Sequence, residues 1–414
     1  MSLTNRAALL DAADPLAGFR SRFLLNSPLL GPGCTIYLDG NSLGPVSLDA
    51  EAALQEALES WRTHRIEGWT AGESPWLFLP ETLGARLAPL VGAEPGEVIA
   101  TGSTTVNLHQ LLATLYDGHG KVLIDAGAFP TDRYALQSHL ALRGRDPNDF
   151  LTFCPPDDDA LDLALKSGVT LAVLPSVVYT SGRLLDMARL TRTARENGVT
   201  ILWDLSHSIG AVPHSLSAIG ADGAFWCSYK WLSAGPGAVG GLYLNACHHP
   251  KAPGMAGWFV ADRTMMFSGS DALSPAPGAA RLQLGTTHVF SLAPLAGSLN
   301  LFEDAGIGAI REKSLALTGF LREALASLTP EMATVTPVED ARRGGHLTLR
   351  HPQAASLSVA LRAVGVVGDH RPPDLLRLAP APLFTSFSEC LEAVRRLRTV
   401  LDSGVETNAA GLVP

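Results

Sequence analysis

Residues 200–208, Thr-Ile-Leu-Trp-Asp-Leu-Ser-His-Ser, and residues 223–231, Gly-Ala-Phe-Trp-Cys-Ser-Tyr-Lys-Trp, decide the fold of this chain. Both stretches contain consecutive apolar residues, which is typical of strands buried on both faces of a sheet. The first strand leads into Asp204 and His207, and the second leads into Lys230. The two strands therefore deliver an acid, an imidazole and a lone amine at their ends.

An acid and an amine in this arrangement suit an enzyme that uses pyridoxal 5′-phosphate (PLP). The lysine forms a Schiff base with the cofactor aldehyde. An aspartate against the pyridine nitrogen keeps that nitrogen protonated, so the ring accepts electrons. The alternative is two buried strands with an ordinary ion pair at their rim, because Asp and Lys are common at strand ends.

The composition argues against a nucleic-acid or membrane protein. The chain has 414 residues, 46% of them hydrophobic, and a formal net charge of −9 without a run of Lys or Arg. No apolar run approaches the ~18 residues of a membrane helix, and Asp11 and Asp14 interrupt any signal-peptide core. We therefore predict a cytoplasmic protein. Scattered cysteines without a CxxC pair predict reduced thiols rather than disulfides or a zinc site, at Cys34, Cys154, Cys227, Cys247 and Cys390.

Strand-like and helix-like stretches alternate between about residues 95 and 245, which predicts a mostly parallel sheet covered on both faces. A helix is predicted over 184–197, ending at Gly198. The stretch 250–285, rich in Pro, Gly and Ser, is predicted to form loops over a site. The buried strands are predicted at 98–100, 122–124, 171–174, 200–203, 224–227 and 239–244.

The last third of the chain predicts a second, smaller α/β domain. One long helical pattern covers 298–328, and a βαβα tail follows it. The tail consists of strands at 346–349 and 377–379 and helices at 355–364 and 386–403. The predicted organisation is an N-terminal arm and site segment (1–50), a large cofactor-binding domain (51–295) and a small C-terminal domain (296–414).

Two further stretches fit a phosphorylated aromatic cofactor. Gly102-Ser103-Thr104-Thr105 follows a strand and opens a helix, whose N-terminus offers N–H groups and hydroxyls to a phosphate. Similar residues also cap helices that bind no anion, but this stretch precedes the Asp and Lys strands in the order that a PLP enzyme requires. Phe129, after the strand at 122–126, is a candidate to stack on the pyridine ring; the alternative is a buried Phe in a Pro-containing turn.

Taken together, the motifs resemble those of kynureninase. Single motifs such as Ser-Tyr-Lys are shared by related PLP enzymes, whereas the whole series, in family order from about residue 35 to 388, is specific. The matching stretches are Tyr37–Gly44, Thr105–His109, Phe129–Asp132, Trp203–His207, Trp226–Trp231, Gly257–Phe259, Arg343–His346 and Arg377–Leu383.

The resemblance implies an aspartate aminotransferase-like fold (fold type I), with a large α/β domain built on a mostly parallel sheet and a smaller α/β C-terminal domain. It implies hydrolytic cleavage of the Cβ–Cγ bond of L-kynurenine to anthranilate and L-alanine. The expected setting is tryptophan catabolism, the kynurenine pathway and NAD biosynthesis, or a related branch. A homodimer with shared active sites is also implied.

The resemblance further implies site residues. Lys230 would hold the cofactor and move protons, Asp204 would pair with the pyridine nitrogen, and Tyr229 would pass a proton or serve only as a phosphate ligand. The other expected cofactor contacts are Thr104, Thr105, Phe129, Asp132, Ser176 and His207, with Trp258 and Thr286 from the second subunit. The expected substrate contacts are Arg377, clamping the carboxylate, and Asn41, Ser42 and Trp69.

Two departures from the family pattern bear on the substrate ring. Val260-Ala261 stands where the family commonly has Gly-His, and Thr287-His288 stands where many members have Pro-Pro. Trp69 and Thr286 stand where animal-type members, which favour 3-hydroxykynurenine, are expected to carry His and Asn. These positions leave the ring specificity open, while the cofactor and the reaction type follow from the other motifs.

Three alternatives remain. A cysteine desulfurase-like lyase needs a nucleophilic Cys on a mobile loop, but Cys390 falls in a predicted helix. An aminotransferase would require a keto acid for turnover. A non-catalytic PLP-fold protein is disfavoured by the joint presence of Lys230, Asp204, Tyr229 and Arg377.

Overall fold

The structure, a computed structural model, describes residues 1–25, 35–269 and 271–404. Cys34 therefore lies outside the described residues. The other four cysteines are free thiols, with Cys154, Cys227 and Cys390 buried and Cys247 exposed. No helix in these ranges is both long enough and apolar enough to span a bilayer.

The chain alternates between helices and short strands. The helices are α1 (Leu3–Ala12), α2 (Leu48–His64), α3 (Leu79–Val91), α4 (Thr104–Leu115), α5 (Pro130–Leu142), α6 (Pro147–Phe150), α7 (Asp158–Leu165), α8 (Met187–Glu196), α9 (Leu216–Ile219), α10 (Val289–Ala305), α11 (Ile307–Leu328), α12 (Ala354–Ala363) and α13 (Phe387–Asp402). The strands are β1 (Ile36–Tyr37), β2 (Val98–Ala100), β3 (Lys121–Asp125), β4 (Leu151–Cys154), β5 (Val169–Pro175), β6 (Thr200–Asp204), β7 (Gly223–Cys227), β8 (Gly240–Leu244), β9 (Ala333–Thr334), β10 (Leu347–Arg350), β11 (Val366–Val367), β12 (Asp369–Arg371) and β13 (Leu375–Leu378).

A seven-stranded sheet forms the centre of the large domain, in the order β2-β8-β7-β6-β5-β3-β4. β8 runs antiparallel to β2 and β7, and the remaining neighbours are parallel. The mostly parallel sheet is thus confirmed. Its central strands are apolar on both faces because both faces are covered: Trp203 and Trp226 pack in one core cluster, and Phe225 and Leu242 pack in another.

The C-terminal sheet differs from the predicted βαβα tail. Its four strands are ordered β12-β13-β10-β9 and pair antiparallel throughout. β12 and β13 are joined by a short hairpin, and a connection of that length allows only antiparallel pairing. Strands of two or three residues, such as β11 and β12, are too short to leave a periodic pattern in the sequence.

The single helical pattern predicted over 298–328 is also wrong. The structure has two helices, α10 and α11, separated at Gly306, whose φ of 73° lies in the left-handed region that glycine adopts without strain. Helix α8 begins three residues later than predicted and is capped by Asp186, which accepts a hydrogen bond from Arg189 N. The apolar pattern continues through both boundaries, so periodicity alone does not locate them.

The N-terminal segment contacts elements near the C-terminal end of the chain. Strand β1 pairs with β11, and Asp11 accepts hydrogen bonds from the N–H groups of Phe387 and Ser388 at the start of α13. Beyond α1, Asp14 lies 2.7 Å from Lys313 Nζ on α11, and both side chains are buried, with exposed fractions of 4% and 6%.

We predict that Asp14→Ala destabilises the protein by about 3–5 kcal/mol, because it leaves the buried Lys313 charge without its partner. The measurement is chemical denaturation of wild type and variant at neutral pH. Arg6→Ala is the matched control. It removes an exposed pair with Glu323 between α1 and α11 and should cost about 1 kcal/mol or less. Equal small effects of the two variants would contradict this assignment.

Candidate active site

A cavity of about 160 Å³ lies at the carboxyl ends of β3, β6 and β7. Ligands of open α/β sheets bind at this edge because loops from several strands converge there. The sequence-predicted residues that line the cavity are Thr104, Thr105, Phe129, Asp132, Asp204, His207, Tyr229 and Lys230. Its other lining residues are Ser103, Thr131, Ser206, Cys227 and Ala238.

Lys230 contacts an imidazole and two aromatic rings. Its Nζ lies 3.0 Å from His207 Nε2, and 5.7 and 5.8 Å from the ring centroids of Phe129 and Tyr229. Burial, and then the charge of Lys230, hold the pKa of His207 well below its usual range. His207 is therefore a neutral acceptor, and with the lysine donating to Nε2 the ring proton lies on Nδ1.

Asp204 is held at the end of β6 by backbone contacts. Ser206 N donates to its Oδ1 at 2.8 Å, and burial raises the pKa of the carboxyl. Ser176 does not line the cavity. It lies behind Asp204, where its Oγ donates to the Asp204 carbonyl at 3.1 Å and contacts Ser208 Oγ at 2.6 Å. Burial also raises the pKa of Asp132, and the nearby Asp204 adds to that shift.

The N-terminus of α4 borders the same cavity. Ser103 caps the helix by accepting from Val106 N, and Gly102 before it has a φ of 56°. Asn107 Nδ2 donates to the Thr101 carbonyl at 2.8 Å and fixes the loop that precedes the helix. The free N–H groups of the first helical turn and the two threonines provide a seat for an anion.

The donor set fits PLP. A buried amine, a buried carboxylate at a strand end, an aromatic ring and a helix N-terminus surround one cavity. Within the described part of the chain, His207 Nδ1 is buried and has no hydrogen-bond partner, so it is free for a polar group of the ligand. Lys230 would bind the aldehyde, Asp204 the pyridine nitrogen, and the start of α4 the phosphate.

Arg377, the predicted carboxylate clamp, lies on β13 and is fully buried. Its Nε donates to Asp369 Oδ1 at 2.7 Å, its Nη1 to the Tyr179 carbonyl at 2.9 Å and its Nη2 to Ser42 Oγ at 3.0 Å. Nη2 also contacts Asp369 Oδ2. The structure thus brings Ser42 and Arg377 together and adds Asp369, which the sequence analysis did not single out.

Tyr179, also missed by the sequence analysis, connects the arginine to the cavity. Its ring lies 5.4 Å from Phe129, 5.9 Å from His207 and 6.0 Å from the Arg377 guanidinium carbon. It follows β5 in a loop whose composition carries no distinguishing pattern. Only the strand-end position could have indicated it.

The segment 39–44 brings the N-terminal arm to the lysine loop. Gly44 N donates to the Tyr229 carbonyl at 2.8 Å, and a Cβ at Gly44 would lie 2.5 Å from the Lys230 carbonyl oxygen, so a side chain does not fit there. Asn41 is fully buried, and within the described residues neither polar atom of its side chain has a hydrogen-bond partner. Buried amide atoms of this kind point to a polar ligand at the segment.

Like Ser176, Arg377, Ser42 and Asn41, three further predicted residues lie outside the cavity lining. Trp69 packs against Trp76 and Phe259, with ring centroids 5.6 and 6.2 Å apart. Trp258 is 56% exposed and contacts Phe259, and Thr286 is exposed in the loop before α10. Trp69 and Trp258 therefore share one aromatic cluster at the surface of the chain.

The positions of the cysteines argue against the desulfurase alternative. Cys390 is fully buried in α13, and burial raises the pKa of its thiol. Cys227 lines the cavity but is buried at the end of β7. Among the cysteines that the structure describes, none lies both at the cavity and on an exposed loop, as sulfur transfer requires.

Comparison with known proteins gives one family. Residues 310–397 match the model of the kynureninase C-terminal domain. A kynureninase from Geobacillus thermodenitrificans is 45% identical over 95% of this chain and 94% of its own length. Kynureninases from Bacillus anthracis and Shouchella clausii are 44% and 43% identical, over 94% and 95% of this chain and 92% and 93% of their own lengths.

Solved structures share the fold at low identity. A C-DES mutant with glycine covalently linked to its PLP cofactor has a TM-score of 0.78 at 19% identity and covers 92% of this chain and 98% of its own. The cysteine desulfurase CsdA from Escherichia coli has a TM-score of 0.77 at 17% identity, covering 94% and 98%. The fold type I architecture is thus confirmed.

Asp39 is expected to make the stability of the protein depend on pH. Burial and the neighbouring Asp369 raise the pKa of Asp39 from 3.8 to about 6. Because the folded state keeps this proton at pH values where the unfolded state has lost it, the contribution of Asp39 to wild-type stability falls as pH rises from about 4 to 6. Asp39→Asn has no ionisable group at this position, so its stability does not fall with pH for this reason. We predict that the melting temperature of the variant, relative to wild type, is higher at pH 8 than at pH 4.5.

Asp374→Asn, a change at a more accessible carboxylate that pairs with Arg350, is the control and should show a smaller change between the two pH values. The measurement is thermal denaturation followed by circular dichroism. If the Asp39→Asn difference is the same at both pH values, Asp39 does not carry the raised pKa.

Proposed function

The chain belongs to the kynureninase family, and on this basis we propose that it hydrolyses the Cβ–Cγ bond of L-kynurenine to anthranilate and L-alanine with PLP as its cofactor. The observation that carries the proposal is the cavity at the strand ends, where Lys230, His207 and Asp204 face the N-terminus of α4. Arg377 lies next to that cavity, separated from it by the Tyr179 ring. A cofactor cavity beside a buried guanidinium suits an amino-acid substrate.

When bound, PLP supplies the aldehyde that captures the substrate amine and the ring that withdraws electrons from its α-carbon. Asp204 holds the proton of the pyridine nitrogen in place through its charge. Lys230 Nζ takes the α-proton of the substrate and returns it later in the reaction. His207 Nε2 lies 3.0 Å from that amine and holds it in position at the cavity.

Tyr229 is the proposed proton donor to the departing β-carbon. Burial raises the pKa of its phenol above the usual value, so the hydroxyl keeps its proton at neutral pH. The alternative role, a phosphate ligand without proton transfer, remains open for this residue. It lies beside Lys230 at the cavity in either case.

We also propose that the protein acts in the cytoplasm, in tryptophan catabolism through the kynurenine pathway or a related branch that serves NAD biosynthesis. A homodimer with shared active sites is part of the proposal. It is supported by the exposed ring of Trp258, which with Thr286 would reach the cofactor of the partner subunit. The remaining proposed contacts are those to Thr104, Thr105, Phe129, Asp132, Ser176 and His207 for the cofactor, and to Arg377, Asn41, Ser42 and Trp69 for the substrate.

The domain division remains a proposal too. Residues 1–50 would form the arm, with a large and a small domain after it. Leu299 and Phe302 of α10 pack in the core of the large sheet, whereas Leu317 and Leu321 of α11 pack in the core of the small one. This favours the break at Gly306, rather than residue 295, as the start of the small domain.

Lys230→Ala should abolish turnover while the fold stays intact, because the substrate α-proton then has no base. The assay is anthranilate fluorescence with L-kynurenine as substrate, together with circular dichroism. Wild type should be yellow, and borohydride should fix the cofactor on Lys230. Lys251→Ala, at an exposed lysine, should behave as wild type. Anthranilate formation by Lys230→Ala near the wild-type rate would exclude the proposed mechanism.

Trp69 is expected to affect the choice between L-kynurenine and 3-hydroxy-L-kynurenine. Tryptophan provides bulk and no hydrogen-bond partner on its ring face for a 3-hydroxyl, and a buried hydroxyl without a partner costs roughly 1–3 kcal/mol. The middle of this range corresponds to a preference of about ten- to a hundred-fold. We therefore predict a higher kcat/KM for L-kynurenine than for 3-hydroxy-L-kynurenine, measured by competition between the two substrates.

Trp69→His should narrow the ring preference, because imidazole offers a hydrogen-bonding nitrogen. Thr287, whose Oγ1 is buried without a hydrogen-bond partner among the described residues, is a second candidate partner for the hydroxyl and would reduce the preference. Equal or reversed kcat/KM values in wild type would show that Trp69 is a structural aromatic remote from the substrate ring.

A further inference from the structure

Asp369 and Arg377 are paired by the register of the small sheet. They lie directly opposite each other on the antiparallel strands β12 and β13. Asp369 approaches the guanidinium side-on, with Oδ1 2.7 Å from Nε and Oδ2 in contact with Nη2. Opposite charges at directly facing positions attract each other, and the two contacts fix the plane of the guanidinium as well as its position.

The contacts of Arg377 differ in how easily a ligand displaces them. Asp369 is an ionised, buried partner whose pKa is lowered by Arg377 even though burial acts in the opposite direction. The Tyr179 carbonyl belongs to the backbone. The hydroxyl of Ser42, 3.0 Å from Nη2, is the neutral side-chain partner. A substrate carboxylate would therefore replace Ser42 along the Nη1–Nη2 edge and leave the Asp369 edge intact.

We propose that Asp369 is a positioning residue for the substrate carboxylate: by occupying the Nε–Nη2 edge of Arg377, it presents the opposite edge of the guanidinium to the amino-acid end of the substrate. This inference rests on the proposed function. It assigns to Asp369 a role in substrate binding, without contact between Asp369 and the reacting atoms.

Two effects of removing Asp369 oppose each other. Loss of a negative charge would strengthen the attraction of Arg377 for a carboxylate, whereas loss of the side-on contact frees the guanidinium to rotate. The second effect is expected to dominate because Asp39 is close at hand. Its Oδ1 is buried without a hydrogen-bond partner in the described residues, and its carboxyl interacts electrostatically with Arg377 and Arg371. Without Asp369, Asp39 would become the counter-ion and compete with the substrate.

The test is steady-state kinetics of the holoenzyme with L-kynurenine. Asp369→Asn should raise KM about ten-fold or more while kcat falls less than three-fold, because the carboxylate contact is the same in ground and transition states. Asp369→Glu keeps the charge but is one methylene longer, so it should also raise KM. If Glu restores the wild-type KM, only the charge matters and the positioning role is excluded.

Asp374→Asn is the matched control. Asp374 lies in the same β12–β13 hairpin and pairs with Arg350 at 3.2 Å, and its substitution should leave KM and kcat unchanged. Arg377→Ala sets the upper limit of the KM increase. Should Asp369→Asn fail to fold, Asp369→Glu alone carries the test, since it leaves no buried arginine unneutralised. An unchanged or lower KM in the folded Asp369 variants would overturn the proposal.

Product binding separates this inference from the proposed function. L-Alanine carries the α-carboxylate of the substrate, whereas anthranilate carries the ring with its amino group and a different carboxylate, formed at the cleaved bond. Titrations of holoenzyme, followed by cofactor absorbance, should show about ten-fold weaker L-alanine binding in Asp369→Asn and unchanged inhibition by anthranilate. A wild-type enzyme that binds L-alanine without cleaving L-kynurenine would refute the proposed function and leave the role of Asp369 testable. Equal L-alanine binding by wild type and variant would refute that role.

Discussion

Parallel pairing of β5, β6 and β7 is the constraint on which the site depends. The pairing Pro175↔Asp204 and Asp204↔Phe225 places three strand ends side by side. Residues far apart in the sequence therefore meet at one edge of the sheet. The apolar strands supply the free energy for this arrangement, because Trp203, Phe225 and Trp226 are fully buried on the two faces of the sheet.

Burial at that edge also sets the chemistry. Desolvation raises the pKa of Asp204 and Asp132 and lowers that of His207. All three shifts favour the neutral form of the side chain in the protein by itself. Ionising any of these groups costs free energy because the group is buried, and a ligand of opposite charge would offset that cost. A cationic pyridine ring beside Asp204 would restore its ionisation. The site is therefore arranged for a ligand that carries both charges and hydrogen-bonding groups.

The sequence predicted the part of the site that lies on long, periodic elements. Apolar runs located β6 and β7, and with them Asp204, His207 and Lys230. The same reasoning failed where elements are short or joined without a break in the apolar pattern. β12, with three residues, has no detectable period, so Asp369 was missed even though it pairs with the predicted Arg377. The division of 298–328 at Gly306 was missed because glycine is also tolerated inside helices.

The shared fold alone does not account for the candidate site. C-DES and two cysteine desulfurases share the fold over 92–94% of this chain at 17–19% identity, and a fold by itself does not determine a reaction. Two segments from outside the large sheet reach the candidate site. Residues 39–44 reach the lysine loop through Gly44, and β12 and β13 contribute the Asp369–Arg377 pair. Because Arg377 and Asp369 lie on a different sheet from Lys230 and Asp204, the site depends on how the N-terminal segment and the small sheet pack against the large sheet.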